Sequence, residues 1–241
     1  MKKYLFLLQL FLACTLFAQG GIFDEITGTL GDLAKTTLNI VDISESEENQ
    51  IGDALEAELQ KKHRNGSSKK WDVNGVFKKV VKNVTRKKID YRFKIVADNE
   101  VNAFAIAGGM IYINTGMLNF IKSEAELAFI IGHELAHIEK KHCINQIKLT
   151  YLAGKFDANL AVLADALMTV YSLPFSKYDE FEADDYGVKL MRKAGYDKKA
   201  AVDFFNRLAK HYKEAPRDPV NDFIATHPLS VERAKRIEKM K

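Results

Sequence analysis

Apolar and polar positions change period twice along this chain. From Ser44 an acidic start, Glu45, Glu47 and Glu48, leads into Ile51, Ala54, Leu55 and Leu59 on one face, the pattern of an amphipathic helix. Residues 61–70 are polar, with Asn65-Gly66-Ser67-Ser68 at their centre, and read as a loop. Residues 71–84 form a second amphipathic stretch, with Val76, Phe77, Val80, Val81 and Val84 inward and lysines outward. The period then drops to two. Tyr91, Phe93 and Ile95 alternate with Arg92, Lys94 and Val96, a turn follows at 98–100, and two short extended runs, 101–106 and 110–114, flank Ala107-Gly108-Gly109. These runs predict a small antiparallel sheet. Helical spacing returns from Ser123 to about residue 147, carried by Leu127, Ile130, Ile131 and Leu135, with Ser123 as N-cap and Glu126 where a capping-box acid reaches back.

Beyond it, residues 157–170 are apolar nearly all round and too short for a bilayer, which suits a buried or pocket-covering helix. A helix over 176–193 ends at Gly195, a suitable C′ residue. Another covers 197–212, a loop lies between Pro216 and Pro219, and a terminal helix covers 229–240. The sum is a mostly helical α+β class.

Length and composition suit one domain with a small appendage: 241 residues, 47% of them apolar. The appendage is at the start. Lys2 and Lys3, then an apolar run over 4–17 broken only by Gln9 and Thr15, then Ala18-Gln19-Gly20, make residues 1–20 a secretory signal peptide, cut between about Ala18 and Gly21. Lipidation at Cys14 is the alternative, with Phe11 where an aliphatic residue is usual. Residues 21–43 read as a flexible lead-in. Loss of the leader leaves Cys143 as the single cysteine, so no internal disulfide forms, and its apolar setting suits a core position. The net charge of +4 includes Lys2 and Lys3 and is too small to argue for nucleic acid. The lysines between 61 and 88 read as a solvated face. Asn65-Gly66-Ser67 and Asn83-Val84-Thr85 fit a glycosylation pattern that matters only in a eukaryotic secretory host.

Chemistry concentrates on the helix from Ser123. His133 and His137 are four residues apart and project from one face. Two imidazoles so placed can close on one zinc ion, and Glu134 between them can point at a water on the metal as general base. A catalytic zinc needs a third protein ligand. His142 is out of register for a metzincin, whose glycine and third histidine would fall at Lys140 and Cys143, and it reads as structural. Glu180 and Asp184 are the better source. They lie four apart on a later helix, so one carboxylate can bind metal while the other orients a ligand histidine. Taken alone, the pair also suits an acidic first turn stabilised by the helix dipole.

Four motifs in order carry a resemblance over roughly residues 45–240. They are the run from Val101 through Asn102, Ala103, Phe104 and Gly108-Gly109 to Tyr112, the Gly132-His133-Glu134-Leu135-Ala136-His137 helix, Glu180-Phe181-Glu182-Ala183-Asp184, and Thr226-His227-Pro228-Leu229. Together they resemble the HtpX-type zinc metallopeptidases, metallopeptidase family forty-eight, which includes the CAAX prenyl endopeptidases, and most closely its soluble, exported bacterial branch. The resemblance implies a zincin-like, gluzincin domain over 44–241. It implies one zinc ion per chain at His133, His137 and Glu180, with Glu134 as base and Asp184 behind a ligand. His227 would stand near the metal, handling substrate or occupying the open position. One departure is Ala107, where the family often has proline, which bears on loop rigidity.

The reading that follows is a periplasmic zinc endopeptidase acting on misfolded or unassembled envelope proteins. A substrate would lie along Asn102, Ala103 and Phe104 as an added strand. Association with the membrane surface or with outer-membrane assembly machinery is a further expectation. Two rivals remain: a holdase that uses the same cleft and cuts little, and a zinc-dependent structural module, which would need a fourth constant ligand.

Overall fold

The computed structural model describes residues 42–152, 174–214, 227 and 230–241. The leader with Cys14, most of the lead-in, the helix expected over 157–170 and the loop at Pro216 and Pro219 lie outside the described residues. The described elements are α1 (Glu45–Lys62), α2 (Val73–Val81), β1 (Arg92–Val96), β2 (Ala103–Ala105), β3 (Met110–Asn114), α3 (Thr115–Phe120), α4 (Glu124–Glu139), α5 (His142–Leu152), α6 (Lys177–Lys193), α7 (Lys199–Glu214) and α8 (Ser230–Glu238). Among them no helix is long and apolar enough to cross a membrane.

The class is α+β and mostly helical, as the periodicity predicts. Capping chemistry marks several boundaries. Ser44 with Glu47 and Ser176 with Asp179 each close a full capping box at the start of α1 and α6. Gly195, at φ 91°, ends α6. The amphipathic face of α2 turns Val73, Val76, Phe77 and Val80 inward, while the lysines from 61 to 88 are exposed.

The small sheet is mixed where an antiparallel one was expected. Its order is β1-β3-β2, with β2 antiparallel to β3 and β1 parallel to it, Arg92 opposite Met110. Alternation marks a strand without giving its direction, so the parallel pair was invisible in the pattern. The tight link at Ala107–Gly109, with Gly108 at φ 82° and Gly109 at φ 98°, folds β3 back between its two neighbours.

α4 is the centre of the molecule. Every residue from Glu126 to Glu139 is buried, and its neighbours are α6, α2, α7 and the sheet. Its start and end both differ from the sequence reading. Ser123 Oγ accepts the Glu126 N–H at 3.2 Å, as an N-cap should, but the Glu126 carboxylate accepts from the Lys122 N–H at 2.8 Å, and Arg207 of α7 pairs with it. That guanidinium draws the acid away from the reciprocal capping bond. At the other end the expected helix to residue 147 stops at Glu139, and Lys141, at φ 63°, turns the chain before α5 begins. The Glu139 carboxylate fixes this end. It accepts from the Thr85 N–H and hydroxyl at 2.7 Å each, from the Arg86 N–H at 3.0 Å, and from the Tyr186 and Tyr91 hydroxyls. Burial opposes its ionisation, but those hydrogen bonds outweigh it and hold the carboxyl below its usual range.

Among the described residues α4 and α6 share the most extensive helix contact, and they cross at two glycines. A Cβ on Gly187 would fall 2.9 Å from the His133 nitrogen and 3.0 Å from its Cα; one on Gly132 would fall 2.8 Å from the Gly187 carbonyl oxygen. The obstacles are backbone atoms, which do not move aside cheaply. Gly187→Ala is expected to push the helices apart and lower the unfolding free energy by about 1–3 kcal/mol, measured by urea denaturation. Wild-type stability in that variant would show that the close crossing is dispensable.

Candidate metal centre

The α4–α6 crossing brings three donor side chains to one point, and His227 joins them from ahead of α8. His133 and His137, one turn apart on α4, face each other with their Nε2 atoms 3.1 Å apart. Glu180, from the first turn of α6, places its carboxylate oxygens 3.6 Å from His133 Nε2 and 3.4 Å from His137 Nε2. His227, ahead of α8, brings Nδ1 to 3.3 Å from His133 Nε2 and 2.9 Å from Glu180 Oε1. All four residues are buried, and their donor atoms lie within 4.8 Å of one another. Ligands bound tetrahedrally at about 2.0–2.1 Å stand about 3.3 Å from each other, and the close donor pairs here, from 2.9 to 3.6 Å, bracket that spacing. Three imidazoles and a carboxylate turned inward onto one point fit a divalent metal ion.

A second layer holds these donors. Asp184, one turn beyond Glu180 on the same face of α6, sits with Oδ1 3.1 Å from His133 Nδ1. Arg233 of α8 binds both acids: Nη1 is 2.6 Å from Glu180 Oε2, Nη2 is 2.7 Å from Asp184 Oδ1, and Nε is 2.8 Å from Asp184 Oδ2. Its guanidinium also donates to the His227 carbonyl at 3.3 Å and lies over the Phe205 ring. Burial alone would raise the Asp184 and Glu180 carboxyls. Arg233 outweighs it at Asp184, and His227 together with Arg233 outweighs it at Glu180, so both are held below the usual range. Sequence reasoning missed Arg233. The available signal was its register: it shares the inward face of α8 with buried Ala234 and Ile237, where a charge needs a partner.

Glu134 lies beside the donors. It is fully buried, and among the described residues neither carboxylate oxygen has a hydrogen-bond partner; Oε1 is 3.7 Å from His227 Nε2. Burial pushes its carboxyl above the usual range. Asn102, Ala103 and Phe104 are buried at and just before β2, which packs against α4 and forms one edge of the sheet. His142 stands outside the donor group, behind His137. Cys143 is a buried free thiol, as its surroundings suggested, and burial raises its pKa.

Removing the one guanidinium that serves two buried acids should be costly. Arg233→Met is expected to lose about 3–5 kcal/mol of stability by urea denaturation, because two carboxylates lose their counter-charge. Arg233→Lys should recover only part, since an ammonium cannot reproduce the planar fork. Stability equal to wild type in Arg233→Met would contradict this account.

Comparison with known proteins agrees with the site. Residues 67–241 match the description of peptidase family M48. The chain is 34% identical over 153 residues to the mitochondrial metalloendopeptidase OMA1 of Arabidopsis thaliana, covering 61% of this chain and 31% of that one. It is 23% identical over 175 residues to the beta-barrel assembly-enhancing protease of Escherichia coli strain K12, covering 65% of this chain and 36% of that one. The chain thus spans about a third of the length of these curated relatives. With a family match over most of its length, the chain belongs to peptidase family M48 and carries a metallopeptidase domain of that family.

Proposed function

We propose that this chain is a zinc-dependent endopeptidase, with His133, His137 and Glu180 as metal ligands and Glu134 as general base. The observation that carries this reading is Glu134. A carboxylate fully buried without a hydrogen bond is expensive, and a purely structural metal site has no use for it. Zinc, when bound, supplies an activated water and polarises the scissile carbonyl. Glu134 takes the proton of the attacking water and passes it to the leaving amine, a task suited to a carboxyl whose proton affinity burial has raised. Asp184 accepts from His133 Nδ1 and keeps that ring's other nitrogen turned inward. Arg233 keeps Glu180 and Asp184 ionised and in place.

A substrate would add to the outer edge of β2 along Asn102, Ala103 and Phe104, held by backbone hydrogen bonds that demand extension rather than sequence. That mode suits unfolded or misfolded chains. The Escherichia coli relative is named for enhancing beta-barrel assembly, which supports unassembled barrel proteins as a substrate class; misfolded envelope proteins more widely, and export to the periplasm as the setting, are part of the same proposal. Association with outer-membrane assembly machinery belongs to the same proposal.

The presence of His227 in the donor group favours a second, compatible reading: a resting state in which His227 occupies the substrate-water position. A chain held in that state binds unfolded protein and cuts little, as a holdase would.

Three measurements test these readings on a denatured outer-membrane protein. Chelation of the metal is expected to stop cleavage. Glu134→Gln should keep zinc, by metal analysis, and lose about 10²–10⁴-fold in turnover; near-normal turnover would remove Glu134 from the chemistry. His227→Ala should raise proteolysis if the histidine blocks the site. A loss of about 10²–10³-fold would assign it to transition-state stabilisation instead.

A further inference from the structure

His142 was set aside in the sequence as out of register for a ligand, and it lies outside the donor group. Its position is nonetheless built. On a continuous helix a residue five beyond His137 would point about 140° away from it. Here α4 stops at Glu139, and Lys141 is the single non-glycine residue with positive φ among the described residues, at 63°. Such a conformation is uncommon for a side chain of this size. It starts α5 at His142 and swings that ring back, so that His142 Nδ1 lies 3.1 Å from His137 Nδ1. The outer nitrogen, His142 Nε2, lies 3.2 Å from Glu182 Oε2 and 3.5 Å from Asp179 Oδ1. Lys140 Nζ, 2.9 Å from Glu182 Oε1, holds that carboxylate in place. The ring of Phe175 stacks on His137 with centroids 3.9 Å apart. His142 itself is buried, while Glu182 and Asp179 are each about one-third exposed.

Proton placement along this line has one consistent solution. With His137 Nε2 turned into the donor group, its proton is on Nδ1. Two Nδ1 atoms in contact need one donor and one acceptor, so His142 Nδ1 is bare. The His142 proton is then on Nε2, where a carboxylate receives it. We propose that His142, oriented by Glu182, is the positioning residue of His137. It accepts the His137 Nδ1–H, fixes that ring's tautomer and aims Nε2 at the metal. The inference rests on the metal reading above. It gives the two histidines of α4 different supports. His133 is backed directly by buried Asp184, whereas His137 is backed through a second imidazole by an acid at the surface.

The test uses the full chain and zinc alone. Zinc dissociation constants would be measured by competition with a chromophoric chelator, and the visible spectrum of the cobalt-loaded protein recorded, for wild type, His142→Leu, His142→Asn and Glu182→Leu. Removal of a partner of this kind typically costs 10–100-fold in metal affinity, and that loss is expected for His142→Leu, with an altered cobalt spectrum. His142→Asn retains an acceptor near the Nδ1 position and is expected to recover most of the affinity. Glu182→Leu, at the surface end, should fold even if His142→Leu does not, and should weaken zinc binding by a smaller factor. Wild-type affinity and spectrum in His142→Leu, or in Glu182→Leu where His142→Leu does not fold, would overturn the proposal. So would His142→Asn binding as weakly as His142→Leu, since volume rather than the hydrogen bond would then be at issue. A wild-type chain that binds no zinc would instead remove the metal reading itself.

Discussion

The close crossing of α4 and α6 is the constraint on which the rest of the structure depends. The two histidines and the two acids belong to different helices and lie more than forty positions apart in sequence. They can converge only if the backbones approach to where a single methyl group would collide. Gly132 and Gly187 permit that approach, and each lies near the chemistry: Gly132 adjoins His133, and Gly187 is one turn beyond Asp184. As Gly187 does in α6, Gly132 costs α4 about 1 kcal/mol of intrinsic helix stability at its middle. Its ends are therefore held from outside, by Ser123 and the Glu126–Arg207 pair at the start and by the five donors on Glu139 at the finish.

A buried polar site is tolerated in this core because its charges are matched in pairs that cross between elements. Glu180 and Asp184 of α6 share the Arg233 guanidinium of α8, which in turn rests on Phe205 of α7. Each group would be costly alone, and removing one strands the others. Specific placement follows from this mutual need. The acids cannot rotate toward solvent without abandoning the arginine, and the arginine cannot leave without exposing two carboxylates to an apolar core. His133 and His227 take their orientation from the same lattice of contacts.

Against that background Glu134 stands out as a buried carboxylate with no hydrogen bond to either oxygen among the described residues. Stability alone would select against it. The fold gives Glu126, Glu139 and Asp184 several donors each and pairs Glu180 with His227 and Arg233, yet leaves both oxygens of this buried carboxylate without one, beside the metal donors. The peptidase reading gives that cost a purpose, because a proton carrier must exchange partners during reaction and gains from having none that bind it tightly at rest.

The sequence by itself determined most of the elements and much of the donor set, though not α3 or the division of α4 from α5. The i, i+4 spacing of His133 and His137, and of Glu180 and Asp184, put each pair on one helix face, because helical geometry is local and follows from position number. The cap at Ser123, the helix starts near Ser44 and Ser176 and the stop at Gly195 were legible for the same reason. Tertiary structure decided what local rules do not reach. The parallel pairing of β1 depends on where β3 is inserted, and alternation carries no direction. Glu126 left its capping bond for Arg207, a residue eighty-one positions away. Arg233 entered the site because α8 packs its inward face there, and His142 reached His137 only because the chain breaks at Lys141. In each case the deciding partner comes from another element or from a backbone turn that no periodicity marks, so the physical cause exists only once the chain is folded.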